Sequence, residues 1–251
     1  MNSNPLLGAF RDGSCIFAVS GIRGGELVSP MHNTNGLPDT PIASGQSWGE
    51  WAGLLSFTNL TTSNGAFVQQ NEEARASIDT TIDLRGRNSD ISFVGKVFLA
   101  RRGVAEARFL HSVAAQGQDY NGVNRVFALY VWEDNRASVS WNEQLIFGVY
   151  TNDTGYVLAA NESILDRWIC VAATVKYVDG VGVSALYLDG VKVGGKSGVP
   201  SFPEHIADSY GTGVQLMNPK NNTFRAVTRM EWCAIYDRAL DGDEIRAMCV
   251  M

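Results

Sequence analysis

Charged side chains are few in this chain: Asp, Glu, Lys and Arg make up 18% of its 251 residues, and the 26 acids outnumber the 20 bases. A net charge of −6 with no basic cluster argues against nucleic acid as a partner, because binding a phosphate backbone needs a positive face that releases counterions. Long apolar runs are missing too. The N-terminus, MNSNPLLGAFRDGSCIFAVSG, has no Lys or Arg before its short apolar stretch and no uninterrupted apolar run after it, so neither a signal peptide nor a membrane span is expected. Histidine is limited to His32, His111 and His205, which are scattered, and the four cysteines, Cys15, Cys170, Cys233 and Cys249, form no CxxC pair. Cys170 and Cys233 fall inside strand patterns, where free cysteine behaves as a small buried hydrophobe, and a reducing compartment is the simplest expectation. Sequons beginning at Asn59, Asn152, Asn161 and Asn221 carry no glycan if the chain is not exported.

Helical periodicity is nearly absent, and what replaces it is strand. The run from Arg167 to Gly195 contains three apolar, β-branched segments, Val171 to Tyr177, Val183 to Leu188 and Val191 to Val193, separated by Gly-containing turns. Asp189-Gly190 suits a two-residue hairpin, whose centre needs positive φ, so Leu188 and Val191 are expected to be cross-strand neighbours. Upstream, strands are expected at Gly65 to Gln69, Ala76 to Leu84, Ser92 to Arg101, Ala107 to Ser112, Arg125 to Glu133, Ala137 to Trp141, Leu145 to Tyr150 and Gly155 to Ala159. Downstream they are expected at Val214 to Met217, Thr223 to Ala226 and Arg229 to Tyr236. Many short strands at even spacing predict an all-β, two-sheet antiparallel jelly roll. One short helix is expected at about 241–248, with Asp241 as N-cap, Glu244 completing a capping box, and Ile245, Met248 and Cys249 on one face.

Residues 1–47 differ from the sandwich expected over 48–251. Gly, Pro, Asn and Ser dominate them and only Cys15 to Val19 suits a strand, so they read as an extended arm that its own sandwich or neighbouring subunits must hold.

Two catalytic-looking patterns fail on context. Gly190 to Ser197 fits GxxxxGK[ST], but a phosphate loop needs a helix after it, and here strand continues toward Gly198, Pro200 and Pro203. Gly45-Gln46-Ser47-Trp48-Gly49 fits GxSxG, yet no strand precedes it and no αβ alternation surrounds it.

Arg167-Trp168 followed by an apolar strand and then Leu186-Tyr187-Leu188-Asp189-Gly190-Val191 resembles the concanavalin A-like lectin/glucanase superfamily, in particular its laminin-G-like branch. Ile235-Tyr236-Asp237-Arg238-Ala239-Leu240 and Asp243-Glu244-Ile245-Arg246 resemble that branch's closing strand and final helix, and the similarity covers Trp51 to Met251. The resemblance implies a concanavalin A-like sandwich and admits glycosidases, lectins and structural modules. Glycosidases of the superfamily line up acids on one strand as Glu-x-Asp-x-Glu, so that carboxylates sharing a face meet the sugar together, but this chain has no Glu-x-Asp. Asp79 and Asp83 share a strand face as solvated charges. No catalytic, cofactor or metal residue is therefore assigned and no enzyme is expected, with calcium on loops such as Asn152-Asp153-Thr154 left open. Candidate sugar contacts are the loop-proximal rings of Tyr120, Trp132, Trp141 and Tyr156. The Met1 start, the lack of an export signal and the polar arm resemble an accessory protein of a bacteriophage virion, made in the host cytoplasm. Its expected partners are capsid or tail proteins, its own copies and host-surface glycans, with no membrane. A stand-alone lectin is the alternative.

Overall fold

The computed structural model describes residues 14–20, 55–58, 60–64, 66–69, 76–80, 82–105, 108–117, 126–137, 143–151, 154–160, 164–204, 213–218 and 228–250. Among the described residues there are fifteen strands, all in antiparallel pairs, and one helix. The strands are β1 (Cys15–Ser20), β2 (Leu55–Thr58), β3 (Leu60–Ser63), β4 (Ala66–Gln69), β5 (Ala76–Thr80), β6 (Ile91–Leu99), β7 (Arg108–Gln116), β8 (Phe127–Asp134), β9 (Glu143–Thr151), β10 (Thr154–Ala160), β11 (Trp168–Val178), β12 (Val181–Leu188), β13 (Val191–Val199), β14 (Gln215–Asn218) and β15 (Thr228–Tyr236). The helix, α1, is Gly242–Cys249.

Sheet A runs β13-β12-β11-β6-β15-β4-β3, with β1 also paired to β15, and sheet B runs β10-β9-β8-β7-β14-β5-β2. Alternate residues of both sheets fill one core, among them Phe17, Phe67, Phe93, Phe127, Phe147 and Leu216, so the expected two-sheet sandwich is the observed fold. Phe93 of sheet A and Phe127 of sheet B stack across it with centroids 4.5 Å apart. Among the described residues no helix is long and apolar enough to cross a membrane.

The central meander forms as its turns dictate. Asp179 and Gly180, and Asp189 and Gly190, take φ of 52°, 77°, 50° and 79°, and the two turns close the pairs Val178–Val181 and Leu188–Val191. Asp189 also fastens the turn, its Oδ1 accepting from the Cys170 amide at 2.8 Å and its Oδ2 from Arg167 at 2.6 Å. Val191–Val199, which holds the apparent phosphate-loop pattern, is a sheet-edge strand running on through Ser197, with no helix behind it. The expected strand at Cys15 to Val19 is β1, and it pairs with β15 from Ser20–Trp232 to Cys15–Tyr236, so its own sandwich holds that part of the arm. The rest of residues 1–47, the expected strands over 138–141 and 223–226, the Gly45–Gly49 pattern, His32, His205 and the sequon asparagines lie outside the described residues.

Sheet A carries a second, smaller apolar cluster on its outer face. Ala18, Val94, Ala172, Ala185 and Ala234 are small enough to let α1 lie close, and Ile245 and Met248 press onto them beside Trp232 and Tyr236. The helix starts where the capping box places it. The Asp241 carboxylate accepts from the amides of Asp243 and Glu244 at 2.9 Å, and Glu244 returns a bond to the Asp241 amide at 2.9 Å. Arg238, donating to Glu244 at 2.6 Å and 2.8 Å, is the main reason that the Glu244 carboxyl sits below its usual range.

One expectation is overturned here. Cys170 is not a free thiol but forms a disulfide with Cys249, 79 residues away, their Cα atoms 5.4 Å apart; Cys15 and Cys233 are the free, buried pair. The helix face that carries Ile245 and Met248 delivers Cys249 over the outward side of Cys170, a proximity that spacing along the chain conceals. A stable disulfide suits oxidising surroundings, so the basis for a reducing compartment goes with it.

Replacing Cys249 by Ser should lower stability by about 2–4 kcal/mol, the usual worth of closing a long loop. Thermal melts check this, and reductant should bring the parent chain to the variant's Tm while leaving the variant unmoved. Gly190→Ala should cost at least about 1 kcal/mol, because an L-residue is strained at that φ and its Cβ would stand 2.9 Å from the Arg246 Cα. An unchanged denaturation midpoint would count against this packing of the turn on α1.

Candidate functional site

The first chemically dense region is a buried ionic network at one end of sheet B. Glu133 and Glu143 stand directly opposite each other on β8 and β9 and share the inward face with Val131 and Leu145. Two facing glutamates are what glycoside hydrolysis employs, yet both oxygens of both carboxylates already hold donors. Glu133 accepts from the amides of Arg102 at 3.1 Å and Gly103 at 3.0 Å, from Asn135 at 2.7 Å and from His111 Nε2 at 2.9 Å. Glu143 accepts from the amides of Ile164 at 2.7 Å and Leu165 at 3.0 Å and from Arg101, which also reaches Asp166 at 3.3 Å. Burial works to raise the Glu133 carboxyl, but these hydrogen bonds outweigh it and bring it down to about 2. A group held ionised so firmly is a poor proton donor. What the network does visibly is tie the segment after β6 and the turn before β11 onto the end of the sandwich.

The second region is open. On the outer face of sheet A, α1 covers the rows of Val94 and, through the disulfide, of Cys170. The next row outward, Trp168–Phe98–Arg229, is fixed by register across β11, β6 and β15. Trp168 is 38% exposed, an unusual setting for a tryptophan on a sheet. Its indole meets the Phe98 ring edge-on, centroids 5.8 Å apart at 62°, and the Arg229 guanidinium lies over the other side of Phe98 at 5.4 Å from the centroid. Beside this row Lys96 and Glu231 form an ion pair at 3.1 Å. Glu231 is the extra residue of a bulge in β15, between Met230 and Trp232 on the β6 side, and bulges re-aim side chains in this way. The result is a shallow platform: an exposed indole, a ring beneath a cation, and a carboxylate and an ammonium at its margin. It can offer an apolar ring face together with hydrogen-bond donors and acceptors in one plane.

The sequence-predicted sugar contacts are not brought together. Trp132 is half-buried on the outer face of sheet B, edge-on to Tyr130 with centroids 6.5 Å apart, and pairs across the strand with Gln144. Tyr156 stands in β10 opposite Val149, which is level with Phe127, so it lies roughly 17 Å along the sheet from Trp132 at the usual strand rise. Tyr120 and Trp141 lie outside the described residues. Asp79 and Asp83 do not form a pair either. Asp79 accepts from Ser77 at 3.0 Å and from Gln215, whereas Asp83, past the end of β5, is held by Arg85 at 2.6 Å and Gln116 at 2.6 Å. Burial works to raise the Asp83 carboxyl, but the bonds from Arg85 and Gln116 leave it lowered. Among the described residues no group of three or more His, Cys, Asp or Glu is arranged to hold a metal ion. Trp168 had a sequence signal, since it stands in the motif that carried the family resemblance; Phe98 and Arg229 had none, because only register aligns them with it.

Glu133→Gln should destabilise the chain by about 3 kcal/mol, because an amide there cannot accept all four hydrogen bonds that the buried carboxylate holds. The sign with pH follows from the depressed carboxyl. Its stabilisation is complete above the unfolded-chain value of about 4.5 and is lost as pH falls toward 2, so the gap between parent and variant melts should close over that interval. A gap that stayed constant down to pH 2 would contradict the assignment.

No family model matches the chain, and no curated protein is similar to it at a significant level. Solved structures are. The receptor-binding domain of botulinum neurotoxin type G aligns over 94% of this chain and 51% of its own, with 15% identity and a TM-score of 0.52. The binding domain of botulinum neurotoxin DC, solved in complex with SialylT, aligns over 94% of this chain and 51% of its own, with 10% identity and a TM-score of 0.57. A Trypanosoma rangeli sialidase aligns over 94% of this chain and 32% of its own, with 13% identity and a TM-score of 0.58. The chain thus spans about half the length of those binding domains and about a third of the sialidase. At such identities the likeness is one of architecture, and it shows that this chain shares the two-sheet β-sandwich fold of these proteins.

Proposed function

We propose that the chain is a non-catalytic recognition module that binds host-surface glycans through the Trp168 row and is carried on a virion, decorating capsid or tail by way of residues 1–47. The observation that carries the reading is the row itself. Sheet A buries its outer face under α1 and then leaves an indole exposed beside an unburied guanidinium, where a ring face for a sugar and donors for its hydroxyls lie side by side. The structural neighbours are receptor-binding domains, one of them solved with SialylT, and they support the reading by analogy of fold. Commitment of the Glu133 and Glu143 oxygens to structural donors supports a non-catalytic role. A disulfide is what a protein exposed on a particle surface retains. The polar composition of residues 1–47 suits extended packing or strand addition between subunits, which would make the module a homo-oligomer on the particle.

The carriage part requires a variant that spares β1, since deleting residues 1–47 outright would strip a paired strand from sheet A. With residues 22–47 replaced by a short Gly/Ser linker, light scattering should give a monomer that ignores purified viral particles, whereas the parent chain self-associates or binds them. Two monomers indifferent to particles would remove virion decoration and leave a stand-alone lectin. The recognition part is read on a glycan array: the parent chain should bind a defined set of saccharides, and Trp168→Ala should lose at least tenfold in affinity. Equal binding by both would remove the platform from consideration.

A further inference from the structure

We infer that the ligand of this platform is a saccharide bearing a carboxylate, with Arg229 as the group that receives it. The inference rests on the platform reading above and goes further in naming the ligand class.

Acids are in excess, and Arg85, Arg101, Arg136, Arg167, Arg238 and Arg246 each donate to a carboxylate of the chain. Arg229 does not. It is exposed, its guanidinium is stacked on Phe98, and among the described residues no carboxylate pairs with it. The contact with Phe98 holds the guanidinium at the exposed face, and a guanidinium's N–H edge matches the two oxygens of a carboxylate as a fork matches a fork. The neighbouring ion pair sharpens the preference. Lys96 is neutralised by Glu231, so among the described residues of the platform Arg229 is the charge left uncompensated. A ligand with a single carboxylate is favoured over a dense polyanion, which the Glu231 carboxylate repels. Trp168 and Arg229 are separated by two strand spacings, roughly 9.5 Å, so a sugar ring lying on the indole can direct its own carboxylate, or that of the next residue, at the guanidinium. Sialic and uronic acids share this chemistry.

Isothermal titration of the full chain with 3′-sialyllactose, with a disaccharide bearing a single uronate and with neutral lactose tests the inference. At least one of the two acidic probes should bind tenfold or more tightly than lactose, and which one binds identifies the source of the carboxylate. Arg229→Gln should erase that preference and leave the Tm unchanged, because its side chain is exposed. Arg229→Lys, which keeps the charge but not the fork, should restore only part of it. If acidic and neutral probes bind alike and Arg229→Gln changes neither, the carboxylate inference is overturned while the platform stands. If no saccharide binds and Trp168→Ala has no effect either, the platform reading itself has failed.

Discussion

How far α1 can reach decides what the outer face of sheet A has to offer. The helix has eight residues and so spans about 12 Å, and the disulfide pins its last turn above Cys170. Everything from the Ser92 row to the Cys170 row is thereby roofed, by alanines and a valine where the helix must come close and by Tyr187, Trp232 and Tyr236 where it stands further off. The next row has no roof. A sheet face left open at that point would ordinarily carry polar residues, and Arg229 in that row is one, with Lys96 and Glu231 at its border with the roofed face, but Trp168 and Phe98 keep two rings beside them. The mixture separates this patch from an ordinary solvated sheet surface.

Two neighbouring regions at the same end of the molecule, joined through Leu99 and Asp166, use charge in opposite ways. At the end of sheet B, Glu133 and Glu143 are buried, and the desolvation of each carboxylate is offset by several hydrogen bonds, which makes the pair stiff and unreactive. On sheet A a single guanidinium is held by a ring rather than by an acid and keeps its donors outward. Compensated charge builds the sandwich, and uncompensated charge is what remains for a partner.

The fold was legible from the sequence wherever a local rule decides the structure. Asp179-Gly180 and Asp189-Gly190 impose their hairpins, Asp241 and Glu244 begin the helix, and an apolar run rich in β-branched residues marks the strand from Trp168 to Val178. What escaped was everything assembled by register between distant strands. Phe98, Trp168 and Arg229 come from three separate segments, as do His111, Glu133 and Arg101, and Cys170 meets Cys249 only after the chain has folded back through four more described strands. Choosing rings by their nearness to loops selected Trp132 and Tyr156, yet nearness to a loop says nothing about which face of which sheet a residue occupies. A one-residue change of register would have put Trp168 into the core, and no local pattern reports the register of β6 against both β11 and β15.

The flank of β15 that faces away from β6 is shared end to end by two strands. β4 pairs with Arg229 and Met230, and β1 pairs from Trp232 to Tyr236. The change of partner falls at Glu231, the same residue that bulges on the β6 side, so β15 is pinned on both flanks on either side of one irregular residue. This fixes the side chains around it: Arg229 is carried by the half that β4 holds, and Trp232 by the half that β1 holds beneath the helix. The first described strand of the chain therefore contributes to the platform without touching it. Cys15–Ser20 hold the roofed half of β15 in register, and with that half fixed the bulge can present Glu231 to Lys96 and leave Arg229 lying on Phe98.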